Sequence, residues 1–470
     1  MMKSFLTQAL VLLTFLSSTA QQIDRLNIAL LGTISPNTAT TSVNRYSGCW
    51  AWYQASKNKE YAISGASNGT YFIDITNPAS PIVSDFVPGK QNCIWREIKT
   101  YQHYCYIASD DAAPNKFQIV DMQYLPDSVH VVYESNLLFE RGHTLWIDQD
   151  KLYVGGCTIN TGSMHPMAIF SLATPTLPTP LRYLEQDYSN SVISYVHDMY
   201  VRNDTIFASA GWQGLHMMRY DQTNDTIKPL GSFTGYAESG YNHSSFITGD
   251  GKNLIFCDEV PASRPIHVIN IQNPQNLSEV VNFRPNTNTT PHNPYVKGNF
   301  AIVSCYQDGL YIYNVANPNN IKLVGYYDTY PQGGGNTGDY GGSPYNGNWG
   351  AYPWLPSGRI VANDMSNGVL ILDPTQAYAA AGSPLSVTAI AGSNLLTAYP
   401  VPANESLHFF NSDAVPVNVD IYDLTGKIIK TLTVSSQSTS SISVQELGKG
   451  TFFAIAKKGK ETQTLKLITN

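Results

Sequence analysis

The sequence predicts an all-β protein: a seven-bladed β-propeller followed by a small immunoglobulin-like β-sandwich. Only 13% of the 470 residues are charged, whereas Gly (35), Tyr (30) and Pro (27) are abundant. This composition suits turn-rich β-structure better than helices. A strand–turn–strand motif also recurs seven times, at intervals of roughly 45 residues. Each copy is followed by a third strand and several by a fourth, and four strands per repeat are typical of propeller blades.

The clearest copies are "GHTLWIDQDKLYVGG" (142–156), "SYVHDMYVRNDTIFASAG" (194–211), "NHSSFITGDGKNLIFCDE" (242–259) and "PHNPYVKGNFAIVSC" (291–305). Third strands such as "GTYFIDI" and "GLYIYNV" follow, and several lead through an Asn-Pro turn into the fourth strand. Alignment of all seven copies places one residue of each in a single column: Trp50, Arg96, His143, His197, His243, His292 and Ala351.

The seventh repeat lacks a fourth strand, because the pattern stops at "GVLILDPTQAY". An N-terminal segment, "NIALLGTIS" (27–35), is similar to the fourth-strand segments "IKLVGYYDT" and "IKPLGSFTG". We therefore expect the N-terminal strand to complete the seventh blade and to remove an open sheet edge. The predicted propeller covers residues 24–378.

The two ends of the chain have different compositions. Residues 1–20, "MMKSFLTQALVLLTFLSSTA", have the basic start, apolar stretch and small-residue end of a secretory signal peptide. No later stretch is apolar enough to span a membrane. Residues 379–395 are rich in small residues and read as a linker, and residues 396–470 form a separate β domain. The net charge of −7 and the absence of a basic run argue against a nucleic-acid partner.

The predicted propeller resembles a known family of secreted proteins. Its third strands read like "IVDI" followed by Asn-Pro, and it carries "NGTYFIDITNP" (68–78), "HDMYVRND" (197–204) and "YNHSSFIT" (241–248). In these features it is similar to the LVIVD-repeat propellers of the choice-of-anchor B family. The resemblance implies a cell-surface or secreted location and implies no particular activity.

The C-terminal segment resembles the type IX secretion system sorting domains of Bacteroidetes. The shared features are the Tyr399-Pro400 opening, the hairpin "VDIYDLTGK", the strand start "LGKGTFF" and the final "KLI", although Val401 stands where that family usually has Asn. The resemblance implies a partner, the type IX secretion machinery, and release or attachment at the cell surface after transport through the periplasm. A small sandwich could instead be a carbohydrate-binding module, but its terminal position favours the sorting domain.

The aligned column predicts where a ligand would bind, because the innermost strands of a propeller usually begin at one mouth of its channel. The candidate rim residues are Trp50, Arg96, His143, His197, His243 and His292, joined by second-strand carboxylates Asp258, Glu259, Asp308 and Asp364. Four imidazoles with carboxylates could hold a divalent metal or perform acid–base chemistry. Alternatively, each histidine fastens neighbouring blades, with Asp198 as a hydrogen-bond partner of His197. Repetition in one register favours the structural interpretation.

An aromatic loop and the cysteines carry two further predictions. The aromatic loop "GDYGGSPYNGNWGAYPW" (338–354) either binds sugars or peptides or packs on its own rings. Cys49 and Cys93 precede the column in adjacent blades, so export makes a disulfide between them plausible. Cys105, Cys257 and Cys305 lie in apolar strands and are expected to be buried thiols.

These features predict an exported binding module for a glycan, a peptide or a protein, without an assigned catalytic residue. No GxSxG, P-loop, HExxH or EF-hand motif is present. A metal-assisted hydrolase or lyase using the His–carboxylate rim, and a structural cell-envelope protein, are the alternatives. No cofactor is expected apart from a candidate divalent metal at His143, His197, His243 and His292.

Overall fold

The structure is a computed structural model, which describes residues 24–39, 44–111, 114–286, 288–333, 345–380, 395–399, 401, 403–411, 415–423, 427–436, 438–459 and 461–469. The predicted signal peptide and most of the predicted linker lie outside these residues, as do residues 338–344 of the aromatic loop. The chain divides into two compact units, one within residues 1–382 and the other within residues 383–470.

The first unit consists of seven antiparallel sheets, preceded by β1 (Arg25–Leu26) and β2 (Ala29–Ile34). The strands of blades 1 to 4 are β3 (Tyr46–Gln54), β4 (Lys59–Ala66), β5 (Gly69–Asp74) and β6 (Ile82–Pro88); β7 (Arg96–Tyr101), β8 (Tyr104–Ser109), β9 (Phe117–Asp121) and β10 (His130–Ser135); β11 (Thr144–Asp148), β12 (Lys151–Thr158), β13 (Met164–Ser171) and β14 (Thr179–Tyr183); and β15 (Asp198–Arg202), β16 (Thr205–Ser209), β17 (Leu215–Asp221) and β18 (Thr226–Phe233).

The strands of blades 5 to 7 are β19 (Asn242–Ile247), β20 (Asn253–Asp258), β21 (Ile266–Asn270) and β22 (Ser278–Phe283); β23 (Asn293–Lys297), β24 (Phe300–Ser304), β25 (Leu310–Asn314) and β26 (Lys322–Tyr327); and β27 (Asn348–Tyr352), β28 (Ile360–Asp364) and β29 (Gly368–Asp373). Short 3₁₀ turns cover Ala55–Lys57, Leu184–Gln186, Pro274–Asn276 and Pro331–Gly333, and helix α1 (Thr375–Ala380) follows the last blade.

The seven sheets close into a ring, which confirms the predicted propeller. Within each blade the strands pair in chain order, and β2 pairs with β29 as the fourth strand of blade 7. The innermost strands contact one another in sequence, and that of blade 7 packs against that of blade 1. The short β1 adds a fifth strand to blade 6 by pairing with β26. The N-terminal segment therefore ties two blades together.

Tight turns and apolar strands explain why each repeat folds as a blade. Asn203 and Asp204 both have positive φ (51° and 59°) between β15 and β16, as a type I′ hairpin turn requires. The second and third strands are buried along nearly their whole length; β16 and β17 are examples. Both faces of each sheet pack against a neighbouring blade, so alternation of apolar and polar residues is weak.

A glycine in the fourth strand allows close contact between blades. A β-carbon on Gly32 would lie 1.9 Å from the carbonyl oxygen of Pro78, and one on Gly231 would lie 1.7 Å from that of Pro274. Both carbonyls belong to the Asn-Pro turn of the next blade. At these two positions the glycine of the fourth strand and the Asn-Pro turn of the next blade are therefore two sides of one contact.

The second unit is a small two-sheet β domain with its own core. Strands β30 (Thr397–Tyr399), β31 (Ser406–Asn411) and β34 (Ser438–Ser443) form one sheet, and β32 (Val417–Tyr422), β33 (Ile428–Val434), β35 (Gly450–Lys458) and β36 (Glu461–Thr469) form the other. The short helix α2 (Val444–Leu447) joins β34 to β35. Leu407, Phe409, Val419 and Leu467 are among its buried side chains. Within the described part of the chain, no helix is long and apolar enough to cross a membrane.

Candidate functional site

Four histidines form a continuous arc at one mouth of the propeller channel. His143, His197 and His292 directly precede the innermost strands of blades 3, 4 and 6, and His243 lies in the innermost strand of blade 5. Successive ring centroids are 4.1, 4.2 and 4.4 Å apart. We call these four residues the histidine arc. The shared register predicted from the sequence therefore places the four imidazoles in contact.

Three members of the arc fasten one blade to the next. Nδ1 of His197 donates to the carbonyl oxygen of His243 (3.2 Å), Nδ1 of His243 donates to that of His292 (3.1 Å), and Nδ1 of His292 donates to that of Trp349 (2.6 Å). A carbonyl oxygen can only accept, so each Nδ1 carries the proton. In a neutral ring, Nε2 is then left with a lone pair. The same Nδ1 hydrogen bond thus joins two neighbouring blades and leaves the lone pair on Nε2.

His143 ends the arc with a different arrangement. Its Nδ1 lies 2.6 Å from Oδ2 of Asp110, and its Nε2 lies 2.8 Å from Nε2 of His197. Because Nε2 of His197 is an acceptor, His143 donates from both nitrogens and is an imidazolium. Arg141 also binds Asp110, at 2.7 Å. His143 therefore forms part of a half-buried cluster of charged groups.

The pKa shifts agree with this assignment of protons. Burial disfavours the charged form of His143, but the hydrogen bond and the charge of Asp110 outweigh burial and raise its pKa. Burial, together with repulsion from neighbouring histidines, lowers the pKa of His197 and of His292 well below the usual value. Burial also lowers the pKa of His243, although Glu259 opposes this. Three rings of the arc are therefore neutral at neutral pH.

Glu259 brings a carboxylate to the far end of the arc. It follows β20 directly, and its Oε1 accepts a hydrogen bond of 2.6 Å from the hydroxyl of Tyr306. Its Oε2 lies 3.8 Å from Nε2 of His243. Nε2 of His292 is buried and has no hydrogen-bond partner in the described part of the protein. One ligand atom each from His243, Glu259 and His292 fall within 4.8 Å of one another.

An aromatic belt fills the channel one layer below the arc. It consists of Trp50, Lys99, Trp146, Tyr200, Phe246, Tyr295 and Tyr352; in blades 2 to 6 the belt residue lies three positions after the column residue. Lys99 is the exception to the aromatic series, and its ammonium lies 4.5 Å from the ring centroid of Trp50 and 5.7 Å from that of Trp146. The cavity between arc and belt has a volume of about 30 Å³. It has room for a few water molecules or an ion.

The structure corrects the column at its two ends. Trp349, not Ala351, accepts the hydrogen bond from His292 and is the column residue of blade 7. Trp50 lies in the aromatic belt rather than at the rim, with its ring 6.5 Å from that of Trp146. The reason is an irregular register in the innermost strands, between Tyr46 and Cys49 and between Asn348 and Gly350. An alignment that assumes the same spacing in every repeat could not reveal either irregularity of register.

Arg96 occupies the column but turns away from the arc. Its guanidinium donates to the carbonyl oxygens of Ala66 and Lys90 and to the hydroxyl of Ser109 (2.6–2.9 Å). It therefore fastens blades 1 and 2 by a longer reach than a histidine has. The sequence suggested Asp198 as a hydrogen-bond partner of His197, but the two side chains do not bind each other. The carboxylate of Asp198 instead accepts a hydrogen bond from the backbone N–H of Met199 in its own strand (2.7 Å).

Among the four predicted carboxylates, only Glu259 approaches the arc. The other carboxylate at the arc is Asp110 of blade 2. Asp258 accepts bonds from Tyr236 and from the backbone of Gly240, within its own blade. Asp364 accepts from the hydroxyl of Thr329 and the backbone of Ser366. Asp308 lies in the tight turn closed by its N–H bond to Cys305 (3.0 Å). These groups stabilise loops instead of converging on a rim.

The predicted Cys49–Cys93 disulfide is not formed. All six cysteines are buried free thiols. The thiol of Cys49 points to the carbonyl oxygen of Val361 in blade 7, and that of Cys93 points to Asn115 in blade 2. The two side chains face different blades. Their similar positions in the sequence, just before the column residues, therefore do not bring the two sulfur atoms together.

Comparisons with solved structures find other proteins of low identity. A protein provisionally named a 6-phosphogluconolactonase, from Bacteroides uniformis, is 11% identical, with 89% of this chain and 100% of that chain covered and a TM-score of 0.47. A counterpart from Bacteroides fragilis is 10% identical (86% and 100% covered, TM-score 0.47). A protein from Lactobacillus plantarum is 11% identical (90% and 100% covered, TM-score 0.46). No curated protein matches the chain in sequence.

A family match covers the C-terminal domain. Residues 397–470 match the family described as the secretion system C-terminal sorting domain. These residues span the strands of the second unit, from β30 to β36. The match identifies the second unit as a sorting domain and implies that the chain is a protein secreted by the type IX system.

Proposed function

We propose that the protein is an exported binding module whose propeller holds an extracellular glycan at the histidine mouth. The observation that carries the proposal is a collar of aromatic rings around the arc. Its members, which we call the aromatic collar, are Trp95, Tyr195, Trp212, Tyr241, Tyr306, Tyr345 and Trp349. Trp212 is 70% exposed, which is unusual for so large an apolar side chain.

The collar is built onto the arc by direct ring contacts. The ring of Tyr241 packs edge-on against that of His197 (5.2 Å) and against that of Trp212 (5.6 Å). The ring of Trp349 lies 4.9 Å from that of Trp95 and 4.4 Å from that of His292. Fixed aromatic faces bind sugar rings by stacking, with little loss of conformational entropy.

The shape of the mouth favours a ligand that lies across it. The cavity below the arc has a volume of only about 30 Å³ and the belt fills the channel beneath it. A small organic molecule would need a pocket of about 300 Å³ or more. A glycan chain can instead rest on the collar, with hydroxyls directed at the histidine arc.

Replacement of Trp212 by Ala tests this proposal. We expect wild-type protein to bind at least one polysaccharide from a panel of bacterial and plant glycans, and Trp212→Ala to weaken that binding about tenfold, because a stacked ring contributes about 1–2 kcal/mol. Isothermal titration calorimetry measures both affinities. Val192→Ala is the matched control, since Val192 is also exposed (46%), lies in the loop before blade 4 and is not a member of the aromatic collar.

Other functions predict different outcomes of the same experiment. A protein or peptide receptor would bind no glycan but would retain partners from the culture medium through the same collar. A structural envelope protein would show no ligand at the collar at all. Glycan affinity that is equal in Trp212→Ala and in wild type would contradict the proposed site.

Two finer assignments belong to this proposal. We assign the propeller to the LVIVD-repeat, choice-of-anchor B type, on the strength of "NGTYFIDITNP" and "HDMYVRND". We also assign residues 1–20 as the signal peptide that first delivers the chain to the periplasm. N-terminal sequencing of the secreted protein tests the second assignment, which requires a mature chain beginning near Gln21.

A further inference from the structure

We propose that His243, His292 and Glu259 form a binding site for one divalent transition-metal ion, with zinc as the best-suited metal. One ligand atom from each of the three residues lies within 4.8 Å of the others. Nε2 is the nitrogen that each histidine can offer to a metal, because its Nδ1 already donates to a carbonyl oxygen. This site is independent of the proposed glycan binding. It is a smaller set than the one suggested by the sequence, since it excludes His143 and His197 and keeps Glu259 as its one carboxylate.

The ligand types match zinc chemistry. Two imidazole nitrogens and one carboxylate oxygen form a ligand set found in zinc sites that keep a further position open. Around one tetrahedral zinc ion, ligand atoms stand about 3.3–3.5 Å apart. Oε2 of Glu259 and Nε2 of His243 are already 3.8 Å apart. The upper bound of 4.8 Å on the three separations exceeds that spacing by about 1.5 Å at most.

The backbone of the next blade prepares both histidines for a metal. Nδ1 of His243 donates to the carbonyl oxygen of His292, and Nδ1 of His292 donates to that of Trp349. These bonds fix the ring orientations and leave the lone pair on Nε2, as the outer hydrogen bonds of metal-binding histidines do. Tyr306 plays the same part for Glu259, because its hydroxyl holds Oε1 at 2.6 Å.

An unsatisfied atom gives independent support. Nε2 of His292 is buried, with 1% of the residue exposed, and has no hydrogen-bond partner among the described residues. A buried acceptor without a partner destabilises the folded state, because it has lost its hydrogen bonds to water without gaining others. Metal coordination would satisfy this lone pair. His197, by contrast, already uses its Nε2 lone pair to accept from His143.

The cavity leaves room for a further ligand. His243 and His292 both line the cavity of about 30 Å³ below the mouth. Three protein ligands would therefore leave one position of a tetrahedral ion open to a water molecule or to a group of a bound ligand. The site thus lies where a ligand on the aromatic collar could reach it.

Metal titration of the purified full chain tests the proposal. After removal of metals with a chelator, we expect one Zn²⁺ per chain by isothermal titration calorimetry, and Co²⁺ to give the visible absorption bands of a tetrahedral site. His292→Ala and Glu259→Gln should each weaken Zn²⁺ binding at least 100-fold. Tyr306→Phe should weaken it about tenfold, the lower end of what loss of an outer hydrogen bond costs.

His216→Gln is the matched control. His216 is also a buried propeller histidine (8% exposed), but its Nε2 donates to the carbonyl oxygen of Gln213, away from the arc. The His216→Gln variant should bind Zn²⁺ like wild type. Circular dichroism should show folded protein for every variant. If His292→Ala does not fold, Glu259→Gln decides, because this isosteric change removes only the carboxylate charge.

Three results would overturn the proposal. The first is wild-type protein that binds no Zn²⁺ at one equivalent. The second is binding that persists unchanged in both His292→Ala and Glu259→Gln, which would indicate a metal held elsewhere. The third is an equal loss in His216→Gln. Glycan binding measured in the same preparations is a separate readout, so failure of one proposal does not imply failure of the other.

Discussion

A chain that ends at residue 396 is expected to stay in the periplasm, whereas the full chain reaches the cell surface or the medium. The secreted fraction should fall at least tenfold, because residues 397–470 are the sorting domain that the type IX machinery recognises. The propeller is a separate compact unit with its own cores, so truncation should leave it folded. Immunoblots of medium, surface and periplasmic fractions from a host with this secretion system measure the distribution.

Full-length Trp212→Ala serves as the control for this experiment. Its substitution lies on the exposed mouth of the propeller and leaves the sorting domain intact, so it should be secreted like wild type. Fusion of residues 395–470 to a periplasmic reporter should in turn carry that reporter out. Truncated chain in the medium at the wild-type level would show that the tail does not direct export.

Loss of the N-terminal closing strand should have the second large effect. Without residues 24–36, blade 7 loses β2 and blade 6 loses β1, so two sheet edges become exposed. Ile28, which is 4% exposed and packs with Val324 and Leu372, would also be removed. We expect a chain that aggregates, or whose melting temperature falls by more than about 10 °C. Calorimetry and size-exclusion chromatography distinguish these outcomes.

A single substitution separates the contribution of strand pairing to stability from that of side-chain burial. Ile28→Ala removes only the buried side chain next to the strand and should cost about 2–4 kcal/mol of unfolding free energy. Thr33→Ala is the control, because Thr33 lies in β2 and is exposed. A melting temperature for the deletion variant equal to that of wild type would mean that the N-terminal strand does not close the ring.

Most of the fold could be predicted from the sequence because the propeller is repetitive. Seven copies of one pattern reveal strand order, the Asn203-Asp204 turn and the missing fourth strand of blade 7, which β2 supplies. Repetition also explains the fourth-strand glycines, which recur because the same backbone contact recurs at Gly32 and Gly231. Local signals are strong where each blade must solve the same packing problem.

The site was harder to predict because it depends on departures from the repeat. Trp349 and Trp50 were displaced in the alignment by irregular registers, which leave no mark in a pattern of apolar residues. The sequence around Tyr306 indicates only a tight turn, and the bond of its hydroxyl to Glu259 depends on the contact between blades 5 and 6. Pairing of His143 with Asp110 likewise joins blades 3 and 2. Contacts of this kind follow from ring closure rather than from spacing along the chain.

The assignment of protons in the histidine arc is central to this account, because the same bonds fasten the blades and leave Nε2 free. Two-dimensional ¹⁵N–¹H correlation spectra of metal-free protein with labelled histidine would measure it directly, with His→Gln variants assigning the signals. We predict neutral, Nδ1-protonated rings for His197, His243 and His292 near pH 7. We predict an imidazolium for His143, because the hydrogen bond and the charge of Asp110 outweigh the effect of burial and raise the pKa of His143. Nε2-protonated rings at His243 and His292 would contradict the account, since neither could then bind a metal through Nε2 or donate to the next blade.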